Sequence, residues 1–282
     1  MPEAPEVSEL AAFLTARTAG RRIRAFDVAI AKIVKTNEQQ PGALEGCRIT
    51  GVARIAKMID VAMVDTGGAE WHVIVHFGHD GWVVWHDTVP DGMARTGEAT
   101  LMARVRLDDG AGFDLTDAGQ WKSLTVHIVP RASDVPAVAK LGPDPLGAGF
   151  DETRFAAILA GRKKQIKALL QDQGALAGIG NAYSDEILHA ARISPVAHAA
   201  SLTDDEVARL FDAMETTLHE SSEARRGIPP ADLKAAKHAA LRVHRRTGET
   251  CPVCGDVIRE LTFSGAAAQY CATCQTGGVP LK

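Results

Sequence analysis

Cys251-Pro-Val-Cys254 and, across sixteen intervening residues, Cys271-Ala-Thr-Cys274 form the stretch from which the rest of the chain is best read. Two CxxC knuckles at this spacing can deliver four thiolates to one tetrahedral Zn2+. A segment this short has no room for a hydrophobic core, so the metal would supply its folding free energy. The expected site is therefore structural and closed, with Cys251, Cys254, Cys271 and Cys274 as ligands. Four of the five cysteines lie here, in a chain too long to need a disulfide framework. Cys47, alone, reads as a buried and inert thiol.

Just before the knuckles come Lys234, Lys237, Arg242, Arg245 and Arg246, with no acid among residues 233–246. Arg162, Lys163, Lys164 and Lys167 make a second basic cluster. Charge runs are usually solvated faces, but two of them beside a metal module point to phosphate. The net charge of -4 and pI near 6.2 argue mildly the other way, since phosphate binding draws on Lys and Arg. Local potential matters more than the total.

Between the two clusters, Leu176-Ala-Gly-Ile-Gly180-Asn181 runs straight into Ala-Tyr183-Ser-Asp185-Glu186-Ile-Leu188. A glycine-rich turn feeding a helix can present backbone N–H groups and the positive helix end to a phosphate; it is also an ordinary tight connection. Further on, Val207, Leu210, Phe211, Met214 and Leu218 repeat at helical spacing behind the capping box Thr203-x-x-Glu206. This part of the chain is expected to be helical.

Upstream the period changes. Pro130, Pro136, Pro143 and Pro145 crowd a stretch without periodicity that reads as a linker. Before it, His72–Phe77, Trp82–Trp85 and Leu101–Leu107 alternate, and Asp109-Gly110 signals a hairpin. A β-sandwich or flattened barrel follows. Val7, Leu10, Ala11 and Leu14 mark a helix from Pro5 to Gly20. The expected boundaries are 1–130 for the sandwich domain, 131–149 for the linker, 150–240 for the helical domain and 241–282 for the zinc finger.

The opening, Met1-Pro2-Glu3-Ala4-Pro5-Glu6, gains meaning if Met1 is removed. Pro2 would then offer a secondary α-amine, with a pKa of about 8, able to attack an electrophilic carbon. Glu3 and Lys57, if brought near, would supply acid–base chemistry. Taken one by one, these residues are equally ordinary: a processing preference and two surface charges.

In this order the pieces resemble the formamidopyrimidine-DNA glycosylase and endonuclease VIII family, over essentially the whole chain. Met-Pro-Glu-Ala-Pro-Glu-Val resembles its opening, and Arg54-Ile-Ala-Lys57 falls where its sandwich lysine lies. Residues 174–195 are similar to its helix-two-turn-helix, and Val243-His-Arg-Arg246-Thr-Gly248 to its approach to the finger. The resemblance implies an α+β multidomain fold: an N-terminal β-sandwich with an N-terminal helix, a helical helix-two-turn-helix domain and a four-cysteine zinc finger. It implies a base-excision-repair glycosylase and abasic-site lyase binding damaged double-stranded DNA across a cleft. Pro2 would be the Schiff-base nucleophile, Glu3 would assist base departure, Lys57 would serve phosphate contact and proton transfer, and Asn181 would hold a backbone phosphate. Lys164 and Arg246 join the expected DNA contacts.

Departures from the pattern matter as much. Where the family's finger carries an arginine, this chain reads Gly265-Ala266-Ala-Ala-Gln269-Tyr270-Cys271, which puts full β,δ-elimination in doubt. Of the three residues that fill the space of a flipped base, His79 stands for a methionine, Gly119 for an arginine and Trp121 for a phenylalanine. Trp121 is thus a wedge or a core aromatic, and His79 a contact or a plain loop residue. The competing reading is a damage-binding protein of the same fold without efficient chemistry; a zinc-stabilised RNA-binding protein explains less. One structural Zn2+ and no small-molecule cofactor are expected. So are a monomer, no membrane association, and a cytoplasmic location, on the nucleoid when DNA is bound.

Overall fold

The computed structural model describes residues 1–36, 39–90, 100–263 and 266–281. The chain divides into two compact units, one of Met1–Lys140 with Arg225–Lys234 and the other of Leu141–Ala224 with Ala235–Lys282.

The first unit opens with α1 (Ala4–Thr18). Among the described residues eight strands follow: β1 (Ile23–Val28), β2 (Arg48–Ile55), β3 (Met58–Val64), β4 (Glu70–His76), β5 (Gly81–His86), β6 (Leu101–Leu107), β7 (Gly112–Asp117) and β8 (Thr125–Val129). They pair into two antiparallel sheets, ordered β1-β6-β7-β5 and β2-β3-β4-β8. Alternation explains the sandwich between them. Val61, Val73, Ile128, Val105, Phe113 and Leu115 face inward and share one core with Val7, Leu10 and Leu14 of α1 and with Cys47. The hairpin expected at Asp109-Gly110 joins β6 to β7, with Gly110 at φ +88°. Short helix α2 (Pro136–Ala139) ends this part.

The second unit contains α3 (Glu152–Leu159), α4 (Ile166–Leu170), α5 (Asn181–Ala191) and α6 (Asp204–Glu223) around a core that includes Phe155, Leu169, Ile187, Leu210 and Met214. Thr203 caps α6 and Glu206 reaches back to it, as the capping box predicts. Helix α7 (Pro230–Ala240) begins in the first unit and ends in the second. The cysteine segment adds strands β9 (Ile258–Phe263) and β10 (Ala266–Cys271), paired antiparallel, and one turn of helix, α8 (Ala272–Gln275). The mixed α/β class with sandwich, helices and four-cysteine finger is the one the sequence announces.

One member of each basic cluster is corrected as a phosphate-facing charge. Lys167 is only 1% exposed and ion-paired to Asp185 at 2.6 Å. Lys237 is buried with its ammonium 4.7 Å from the Tyr183 ring. Helical position, which composition does not reveal, turned these two charges inward.

Candidate active site and metal centre

Pro2 and Glu3 are both buried where α1 begins. Glu3 occupies the N-cap, and its backbone N–H donates to Glu6 Oε2 at 3.1 Å. The other oxygen of Glu6 is 2.8 Å from Arg225 Nε. The backbone that follows Pro2 is therefore fixed at its first helical turn.

Lys57 follows Ala56 in the two-residue turn that joins β2 to β3. Ala56 adopts φ +53°, and Arg54 donates to its carbonyl oxygen at 3.3 Å. The left-handed backbone costs roughly 1 kcal/mol in a residue other than glycine, so the surrounding hairpin holds this turn against strain. The next residue, Met58, pairs in register with His76 of β4. Burial pushes the His76 imidazole below its ordinary range, and the Lys57 charge adds to that effect. His76 Nδ1 accepts the N–H of Gly78 at 3.0 Å, which leaves the proton of the neutral ring on Nε2. Sequence reading passed over His76 as a site residue; the β3–β4 register was the signal that could have found it.

Trp121 is 83% exposed, which excludes the core-aromatic reading. Its loop is nonetheless rigidly built on Asp117, another residue that sequence reading passed over. Asp117 Oδ1 accepts from Gly119 N–H at 2.9 Å, and Oδ2 from Ser123 N–H at 2.7 Å and Leu124 N–H at 3.0 Å. His79 is exposed on the adjacent loop, its N–H bound to Ser123 Oγ at 3.0 Å. A Cβ at Gly119 would come within 2.8 Å of Asp80 Oδ2, so a larger residue would have to displace that carboxylate.

In the second unit, Asn181 is the first residue of α5, with Gly180 as N-cap. Its Oδ1 accepts from Gln171 Nε2 at 3.0 Å, which orients the amide. Lys164 is exposed and pairs with Asp172 at 2.8 Å. Arg246 donates to Leu241 O at 2.6 Å and to Glu249 at 2.9 Å, bracing the turn that leads to the finger.

The ligand atoms of Cys251, Cys254, Cys271 and Cys274 all lie within 4.8 Å of one another. Cys251 and Cys274 sulfurs are 3.9 Å apart, Cys254 and Cys271 sulfurs 3.3 Å. A tetrahedron with Zn–S bonds of about 2.3 Å has edges of roughly 3.8 Å, so the residues fit one structural Zn2+. Burial pushes the Cys271 thiol up to about 11. A divalent cation among these sulfurs reverses that preference.

A sandwich that buries the start of its first helix, a helical unit with a glycine turn at Asn181, and a four-cysteine metal module define a DNA-glycosylase architecture. Family models for the formamidopyrimidine-DNA glycosylase N-terminal domain, its H2TH domain and the zinc finger found in FPG and IleRS match residues 1–122, 141–229 and 248–277. A formamidopyrimidine-DNA glycosylase of Heliobacterium modesticaldum is 32% identical, covering 98% of this chain and 100% of its own length. An uncharacterized formamidopyrimidine-DNA glycosylase-like protein of Mycobacterium tuberculosis is 48% identical over 52% of this chain and 91% of its own. The Lactococcus lactis Fpg in complex with abasic-site DNA superposes with a TM-score of 0.84 at 25% identity, covering 97% of this chain and 99% of that one. MutM in complex with DNA containing carbocyclic 8-oxo-G gives 0.85 at 26%, covering 98% and 100%. The chain belongs to the formamidopyrimidine-DNA glycosylase family. No helix among the described residues is long and apolar enough to cross a membrane.

Proposed function

We propose that the chain is a bifunctional repair enzyme that removes a damaged base from double-stranded DNA and then cleaves the strand at the abasic site. The observation that carries this reading is the double use of Glu6, one oxygen on the Glu3 N–H and the other on Arg225, which preorganises the segment bearing Pro2. With Met1 removed, the Pro2 amine attacks C1′, the damaged base departs with its bonding electrons, and the proton lost from the amine nitrogen neutralises the departing base. Glu3 supplies the proton that opens the sugar, and the ring nitrogen and C1′ are left as an iminium ion. Loss of a C2′ proton then expels the 3′ phosphate, and water releases the aldehyde from Pro2. Lys57, in the turn before Met58, and the neutral His76, whose strand pairs with Met58, serve phosphate contact and proton transfer in this reading. Asn181, Lys164 and Arg246 are the phosphate contacts of the second unit. All of these groups belong to the chain, so the reaction uses no small-molecule cofactor, and a monomer suffices in the cytoplasm or on the nucleoid.

The test uses abasic duplex DNA, which bypasses lesion preference. Borohydride should trap protein on DNA after intact mass has shown Met1 to be absent. An added residue before Pro2, which converts the amine to an amide, should abolish trapping. Methionine-free protein that binds the abasic duplex yet neither traps nor cleaves is instead a damage-binding protein. Ala266, standing where the family has a finger arginine, is the observation that favours this second reading.

A further inference from the structure

Helix α5 carries Asp185, Glu186 and His189, whose spacing sets Asp185 and His189 one turn apart with Glu186 beside them. All three are buried. Asp185 Oδ2 is 2.7 Å from His244 Nδ1, and Asp185 Oδ1 accepts the N–H of Gln269 in β10 at 3.2 Å. Glu186 accepts three successive N–H groups, from Arg242 at 2.8 Å, Val243 at 3.0 Å and His244 at 2.9 Å. Those carboxylates already dock the metal module on the helix. His189 does something different: it is 3% exposed, and its Nε2 lies 3.3 Å from Cys251 Sγ.

An apolar side chain would fill this position without the cost of burying an imidazole. A cysteine sulfur bound to Zn2+ is a thiolate and can only accept, so Nε2 must carry the proton. Four thiolates around one divalent ion leave a net double negative charge, and an N–H aimed at one sulfur disperses it. We propose that His189 is a positioning residue of the zinc centre, donating from Nε2 to the Cys251 thiolate and thereby holding the metal module to the helix that starts at Asn181. Donors that orient or polarise metal ligands commonly change metal retention by 10–100-fold.

The test compares the zinc-loaded full chain with His189→Phe, which keeps volume but loses the donor, and His189→Gln, whose amide reaches the same sulfur. A chromogenic chelator in excess should draw Zn2+ from His189→Phe about tenfold faster than from the parent. His189→Gln should release it at close to the parent rate. After reconstitution with Co2+, the sulfur-to-cobalt charge-transfer band should move to lower energy in His189→Phe and stay in place in His189→Gln. A role in packing alone would not move that band. Should the phenylalanine variant fail to fold, His189→Asn, whose shorter amide stops short of the sulfur, takes its place in both measurements. Equal zinc release from the donor-lacking and glutamine variants, or a band that does not move on loss of the donor, overturns the proposal.

Discussion

Glu6 and Arg225, far apart in sequence, form an ion pair at 2.8 Å with side-chain exposures of only 1% and 2%. Because Glu6 also holds the Glu3 N–H, this pair fixes both the direction of α1 and the segment beside Pro2. Gly227 N–H, two residues beyond Arg225, donates to Glu9 on the same helix at 2.8 Å. The stretch around Arg225 thus acts as a brace for the N-terminus.

Breaking a buried pair by removing one partner is costly, since the other charge stays in a poorly solvated place. Glu6→Gln should lower unfolding free energy by about 3–5 kcal/mol, measured by urea titration. Where the variant remains folded, borohydride trapping should also slow. A loss under about 1 kcal/mol would show that the buried pair contributes little.

Asp114 gives a pH-dependent prediction. Burial alone would push its carboxyl up, but the Arg104 guanidinium, bidentate at 2.7 and 2.8 Å, and His86 at 3.0 Å outweigh burial and hold it below the ordinary range. A carboxyl with a depressed folded pKa stabilises the fold above its unfolded value, near 3.9, and loses that contribution as pH falls through the folded value. The stability gap between the parent and Asp114→Asn should be constant near pH 7 and narrow below about pH 4. A gap unchanged down to about pH 3 would contradict the assignment.

Metal removal should act on the finger first. Elemental analysis of carefully purified protein should give one zinc per chain. Chelation, or Cys254→Ala, should unfold β9 and β10 and weaken DNA binding, since the apolar cluster at the metal site is small, made of Val243, Ile258 and three of the cysteines. Zinc below about half an equivalent would count against the site.

Local signals were the legible ones. Thr203 and Glu206 make their capping box within one turn, and Ala103, Val105 and Leu107 alternate into the core as the sequence expects, whereas a register shift between Leu101 and Ala103 puts Met102 rather than Leu101 in that core. Arg104 is buried because Asp114, on the neighbouring strand, neutralises it, a pairing that local spacing does not show. Lys167 reads as part of an exposed basic cluster because its partner Asp185 lies on another helix. Arg225 and His76 escaped notice because their significance depends on pairing across the fold. The CxxC knuckles were legible because a metal site of this kind is written as spacing. His189 was not, because nothing in sequence spacing ties it to Cys251.

Trp121 separates a working wedge from a decorative aromatic. Its ring is exposed while its loop is tied down by three backbone hydrogen bonds to Asp117, so the protein bears the cost of exposing a large apolar ring without loosening the chain around it. Removing the ring should leave the fold intact: Trp121→Ala should change stability by no more than about 0.5 kcal/mol. If the ring replaces the stacking of an extruded base, a contact worth about 1–3 kcal/mol, duplex cleavage should fall by roughly tenfold or more. Abasic single strands, which have no partner strand to keep apart, should be cleaved at nearly the parent rate. Trp121→Phe should recover most of the duplex activity, since a smaller ring still stacks. Asp117→Asn separates the ring from its support: the tryptophan remains, but the carboxylate that gathers Gly119, Ser123 and Leu124 is weakened, and duplex activity should fall with stability. Equal losses on duplex and single strand in Trp121→Ala would remove the wedge role and leave the exposed ring with a different partner.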